Sequence, residues 1–296
     1  MGRMAELFGG DARLVWALAG ALAVVSVVAF LTRRRGGRFR GLPGWVGLWW
    51  LMATVLVLLS RFDRRISFPL LAFMMFASLR AYFSVAPVRP RDRYAILVSY
   101  LAIPLILWPA FIGAVNLFQA VVPVVLFLIV PVFLVYGTTE RGLLGSMGRM
   151  LIGVIFFVFC IAHLALFAGL SHHGLLELFG VLVLASELPQ RLAGRPHPGR
   201  PWFRPLAGIF AGMFLATGFG YLLAPLAELT VNDGGRAGLL VSVAVTLGAL
   251  VSEAVATDLK LTSSAAVIGR GATMTRMVPA VYAAPVFFHY VTNFAP

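Results

Sequence analysis

Ten apolar runs, each close to the length that crosses a bilayer, follow one another along almost the whole chain. They are Val15–Leu31, Trp45–Leu59, Phe68–Val85, Tyr94–Ile112, Leu117–Tyr136, Leu151–Phe167, Gly174–Leu188, Leu206–Leu226, Leu239–Val255 and Met277–Val291. A helical crossing needs about 20 predominantly apolar residues. Inside lipid, every backbone amide must be satisfied by the protein itself, which leaves helices or a closed barrel. Continuous apolar runs, unlike alternating ones, select helices. The expected fold class is therefore all-α: a polytopic integral membrane helical bundle of about nine to ten transmembrane helices. Composition agrees, with 60% hydrophobic and only 12% charged residues in 296, where a soluble domain carries roughly 25% charged. Prolines 104, 109, 123 and 131 fall inside runs and should kink them.

The formal net charge is +13, and Lys260 is the one lysine among the 24 basic residues. Counting basic residues in alternate loops separates two faces. Loops 32–44, 86–93, 138–150, 188–204 and 257–276 hold 17, while the opposite set, with the N-terminus, holds 6. The rich set is expected on the cytosolic side, with both termini on the other. Arg61, Arg64 and Arg65 are the exception to that rule. The arginines sit in short connections and form no separate basic domain, so nucleic acid is excluded as a partner. Anionic lipid is the partner that such a face attracts. The expected location is a bacterial inner (cytoplasmic) membrane, crossed many times. Residues 1–44 read as a first span and an arginine-rich loop, and 45–296 as the main transmembrane domain.

Polar chemistry concentrates near the C-terminus. Asp258 to Arg276 is polar and glycine-punctuated, between two apolar runs. Polar backbone is tolerated near bilayer depth only where it is buried in protein or lines a wet cavity. Arg191–Arg204 is a second polar connection, made a loop by proline and glycine. Cys160 is alone, which excludes a disulfide and a cysteine-based zinc site. His163, mid-run, reads as a core histidine, and the His172-His173 pair supplies too few ligands for a metal.

Ser252, Arg276 and the closing run Ala283–Tyr290 (AAPVFFHY) lie at the spacing of the phosphatidate cytidylyltransferase (CDP-diacylglycerol synthase) signature, which the chain resembles. Ala185–Arg195 is similar to that family's Asn-Asp-x-x-Gln-Tyr segment, with Glu187 at the Asp and Gln190 at the Gln. Phe76–Arg93 and Phe159–Phe167 also look like family segments, so the resemblance covers roughly residues 45–293. It implies a cytidylyltransferase-like bundle that condenses CTP with phosphatidate, using Mg²⁺, in phospholipid biosynthesis. It also implies Glu187, Ser252 and Arg276 as catalytic candidates. Gln190 and Arg276 are implied as contacts to substrate phosphate, and Lys260 and Arg270 add cations to the same face, which would attract a phosphate. Glu187 is the implied metal ligand, with Glu253 and Asp258 as weaker candidates nearby.

The departures fall on charged positions. The signature's Lys-Arg is Val255-Ala256, its Lys-Asp is Leu261-Thr262, and its His-Gly-Gly is Arg270-Gly271-Ala272. Its Asp-Arg-x-Asp is Thr275-Arg276-Met277-Val278. Joining two polyanions depends on positioning and on charge neutralisation by metal and cations. Mg²⁺ is hard and needs oxygen ligands, usually one or two carboxylates with substrate phosphates. Thr275 and Val278 supply no charge. The expectation is a catalytically impaired homologue that acts as a lipid-binding or partner subunit, as a homodimer or with a membrane partner. The alternative is an active synthase with a rearranged metal site. Glu187 reads either as a ligand or as the i,i+4 partner of Arg191, and Gln190 either as a ligand contact or as an inter-helix hydrogen bond.

Overall fold

The computed structural model describes residues 12–32, 41–87, 89, 92–137, 143–168, 174–194, 203–261 and 270–295. Among them there are only helices and turns. In chain order these are α1 (Arg13–Thr32), α2 (Leu42–Arg61), α3 (Arg64–Phe83), α4 (Arg93–Phe111), α5 (Val115–Pro123) and α6 (Val130–Gly137). Then come α7 (Leu143–Val154), α8 (Ile161–Phe167), α9 (Leu175–Ala193), α10 (Phe203–Leu223), α11 (Val231–Asp258) and α12 (Arg270–Phe294). A π-turn, Val124–Ile129, joins α5 to α6, and another, Ile155–Cys160, joins α7 to α8. Each of the ten apolar runs thus lies in one helical rod. The chain is an all-α polytopic membrane bundle.

Seven of these helical stretches are long and apolar enough to cross a membrane by length and composition. Two of the remaining three rods carry polar residues. Helix α9 carries Glu177, Glu187 and Arg191, and α12 carries His289, Thr292 and Asn293. Prolines act where the sequence places them. Pro123 and Pro131 bracket the first π-turn, while Pro104 and Pro109 lie inside α4. A proline removes a backbone donor, and the widened π-turn absorbs the mismatch.

Helix α9 is the centre of the bundle. From Leu175 to Leu184 every residue is buried, as are Ser186, Glu187 and Gln190. Its neighbours approach through small residues. A Cβ on Gly212 of α10 would lie 2.6 Å from the Ser186 carbonyl oxygen, and one on Gly238 of α11 would lie 2.2 Å from that of Ala216. Such backbone-on-backbone contact is how helices gain packing in lipid, where the hydrophobic effect does not drive their association. Helix α1 seats Leu18 against Gly180 and Leu14 against Gly174, whose φ of +88° suits glycine. Helices α3, α5 and α8, with the α7–α8 π-turn, instead interlock by aromatic rings, such as Tyr82 with Phe157 and Phe118 with Phe159.

The end bearing the arginine-rich connections is called the inner end, and the opposite one the outer. Two of the exceptional outer arginines, Arg61 and Arg64, are tied into the bundle. Arg61 Nε donates to Glu177 Oε1 at 3.1 Å, and Ser60 Oγ donates to the same oxygen at 2.6 Å. Arg64 donates to the Phe111 carbonyl at 2.8 Å and to that of Ala168 at 3.1 Å. These carbonyls close α4 and α8, where the helix dipole is negative and a cation is favoured. At the inner end, buried Asp92 accepts from Arg89 Nε at 3.1 Å and Ser146 Oγ at 2.7 Å. Burial opposes its charge, but these bonds outweigh burial and hold its carboxyl below the usual range.

Candidate functional site

The inner end of α9 gathers most of the residues that the sequence singles out. Glu187 is buried, and both of its oxygens are engaged. Arg191, one turn on, donates to Oε1 through Nε at 2.8 Å and also through a terminal nitrogen. Trp49 of α2 donates its indole N–H to Oε2 at 3.0 Å. The Arg191 guanidinium lies over the Trp45 ring, 4.8 Å from its centroid, a cation–π contact. The i,i+4 spacing of Trp45 and Trp49 on α2 matches that of Glu187 and Arg191 on α9, so two helix faces interlock pair on pair.

Gln190 bridges helices. Its Nε2 donates to Thr246 Oγ1 of α11 at 3.1 Å and to Ser186 Oγ at 3.2 Å. Ser186 and Ser242 hydroxyls meet at 2.8 Å. Ser252 is buried and gives its hydroxyl to the Ala249 carbonyl of its own helix at 2.9 Å. Arg276 lies against α2, with its guanidinium within 2.5 to 2.8 Å of where a Cβ on Gly44 would stand. A side chain at that position would push the guanidinium aside. Thr275 beside it is buried.

The remaining candidates do not converge on Glu187. Glu253 is half-buried on α11, while Asp258, five residues on, is exposed at the helix end. Five residues turn an α-helix by about 140° beyond a full turn, so the two carboxylates diverge. Lys260 is exposed, with a φ of +52°. The Arg270 side chain and residues 262–269 lie outside the described residues, as do His172 and His173. Among the described residues no three of His, Cys, Asp and Glu come together as a metal would require. Glu187 is occupied by cationic and N–H donors, so the described residues do not fit a divalent ion.

Two further donors mark this end. Trp45 Nε1 and Arg149 Nε are buried and have no acceptor among the described residues. Sequence reasoning passed over Trp45, Trp49 and Arg149. The repeated four-residue spacing was the one signal for the tryptophans. It also passed over Glu177, whose only sequence trace was the misplaced Arg61.

The chain is similar to the uncharacterized protein YnbB of Escherichia coli K12. The two are 25% identical over 262 residues, which cover 82% of this chain and 85% of that protein. No protein-family model matches the chain, and no solved structure does.

Proposed function

We propose that this chain is a catalytically silent relative of the phosphatidate cytidylyltransferases, in a bacterial inner membrane. It holds an anionic phospholipid such as phosphatidate at its inner end and serves as a lipid-binding or partner subunit, as a homodimer or in a heteromer. The observation that carries the reading is the state of Glu187. It is the one acid at a signature-matched acidic position, and it is committed to Arg191 and Trp49. Without carboxylates to anchor a divalent ion, two phosphate-bearing substrates repel each other. The same end is rich in N–H donors, which a phosphate oxygen would satisfy.

The test uses the purified chain in lipid nanodiscs. With CTP, phosphatidate and a series of divalent metals, no CDP-diacylglycerol is expected. Lipids extracted from the purified protein should be enriched in anionic species over zwitterionic ones. A Mg²⁺-dependent yield of CDP-diacylglycerol that falls in Glu187→Gln would overturn the reading in favour of an active synthase with a rearranged site.

A further inference from the structure

Helix α2 begins at the inner end without a side-chain cap, and Pro43 in its first turn has no N–H to offer. Trp45 closes that turn, its amide bonding to the Gly41 carbonyl at 3.2 Å. The amides of Leu42 and Gly44 come before it, where the helix has no carbonyl of its own to receive them. Summed along 20 residues, the backbone dipole places about half a positive charge at this end. Two cations stand against the same turn. The Arg276 guanidinium lies 2.5 to 2.8 Å from where a Cβ on Gly44 would be, and that of Arg191 lies 4.8 Å from the centre of the Trp45 ring. A cation is disfavoured at a helix N-terminus, and an anion is favoured there.

Trp45 gives an independent sign of what belongs in this place. It is fully buried, and its indole N–H has no acceptor among the described residues. Side chains on a helix lean toward its N-terminus. Trp49, packed edge to face on Trp45 at 6.3 Å, fills the turn behind it. The Trp45 ring therefore covers the first turn of α2. The unpartnered buried atoms of the outer half have the opposite character, for Glu177 Oε2 is an acceptor and so is His163 Nε2. The Phe159 carbonyl, 2.9 Å from His163 Nδ1, only accepts, which leaves the lone pair on Nε2.

We infer that the first turn of α2 is a phosphate-binding site, formed by the Leu42 and Gly44 amides, the Trp45 indole and the Arg276 guanidinium. Free amides and the dipole at a helix N-terminus suit a phosphate, and a guanidinium adds charge-assisted bonds to its oxygens. An indole N–H can only donate, so an oxyanion satisfies it where the neighbouring cations do not. The negative charge also offsets the opposition between Arg276 and the helix end. Gly44 has a part in this, because its missing side chain lets the guanidinium reach the backbone of the turn. The phosphate of a lipid headgroup and free phosphate share this chemistry. The inference rests on reading the inner end as an anion site, and it gives the anion a place.

The experiment uses the full chain, delipidated in a non-ionic detergent. Binding is measured for three radiolabelled probes: a short-chain phosphatidate, the matching diacylglycerol without phosphate, and inorganic phosphate. The wild-type chain should prefer phosphatidate to diacylglycerol. Gly44→Ala pushes the guanidinium off the turn, and Trp45→Phe deletes the indole N–H. Each should weaken phosphate-dependent binding roughly 10-fold or more. Gly44→Ala should do so without lowering the unfolding midpoint, since alanine is the better helix former. Competition by inorganic phosphate would identify free phosphate as the ligand, and its failure to compete would identify a lipid headgroup; the site stands in both cases. Phosphate-dependent binding that is unchanged in either variant would overturn this site and leave the inner-end reading intact. No preference for phosphatidate together with no binding of inorganic phosphate would overturn both.

Discussion

Helix α9 carries a buried carboxylate near each end, and the two are held in different ways. Glu177, at the outer end, is paired with Arg61 of α2, 116 residues earlier in the chain, and both side chains are almost wholly buried. Glu187, at the inner end, is paired with Arg191 of its own helix, where the arginine is 15% exposed. The outer pair joins two helices by charge. The inner pair is local, and the Trp49 indole and the Trp45 ring carry it across to α2. The unmet hydrogen-bonding capacity follows the same division. Buried donors without acceptors, Trp45 Nε1 and Arg149 Nε, lie toward the inner end. Buried acceptors without donors, Glu177 Oε2 and His163 Nε2, lie toward the outer end. The outer end is therefore cross-linked and suited to receive a donor or a cation. The inner end is joined mainly by single hydrogen bonds between helices and suited to receive an anion.

The largest effect should come from breaking the outer cross-link. Removing one partner of a buried ion pair typically costs about 3–5 kcal/mol. Arg61→Ala should therefore lower the unfolding midpoint in detergent sharply or prevent folding. The double change with Glu177→Leu should recover part of the loss. Arg64→Ala comes next, at about 1.5–3 kcal/mol in all, because the two helix-terminal carbonyls that lose their charged donor are only partly buried and water can replace it. The proteolytic sensitivity of the outer loops would report it. Glu187→Gln should cost less, about 1–2 kcal/mol, because Arg191 reaches solvent and the amide still accepts from Trp49. If its midpoint falls as far as that of Arg61→Ala, the contrast between the ends is wrong. Trp45→Phe should be the smallest, within about 0.5 kcal/mol, since it keeps a ring under Arg191 while deleting an unpartnered N–H. A loss of bound anionic lipid in that variant, with the midpoint unchanged, would sharpen the assignment of the inner end.

The ten rods were legible in the sequence because each apolar run reports burial in lipid directly, residue by residue. The π-turns were half legible: Pro123 and Pro131 announced a fault in one rod, whereas nothing comparable brackets the other at Ile155–Cys160. The Glu187–Arg191 contact was among the readings available from spacing alone, because both partners lie on one helix. Trp49 was not, since a bond between residues 138 apart depends on how α2 docks against α9. Glu177 was missed for the same reason. Its partner stood at a position that the loop-charge count could mark only as anomalous. Arginine counting reads charge along the chain. It does not see a carboxylate that arrives from another helix.

The Arg61–Glu177 pair also bears on how the protein is made. Helix α2 must carry an arginine to the outer boundary before α9, which neutralises it, exists. At about 5–20 residues per second, a separation of 116 residues corresponds to roughly 6 to 23 s of synthesis. Throughout that interval the early helices stand without the carboxylate that Arg61 meets in the finished bundle. Their final seating must therefore wait until translation has delivered the middle of the chain.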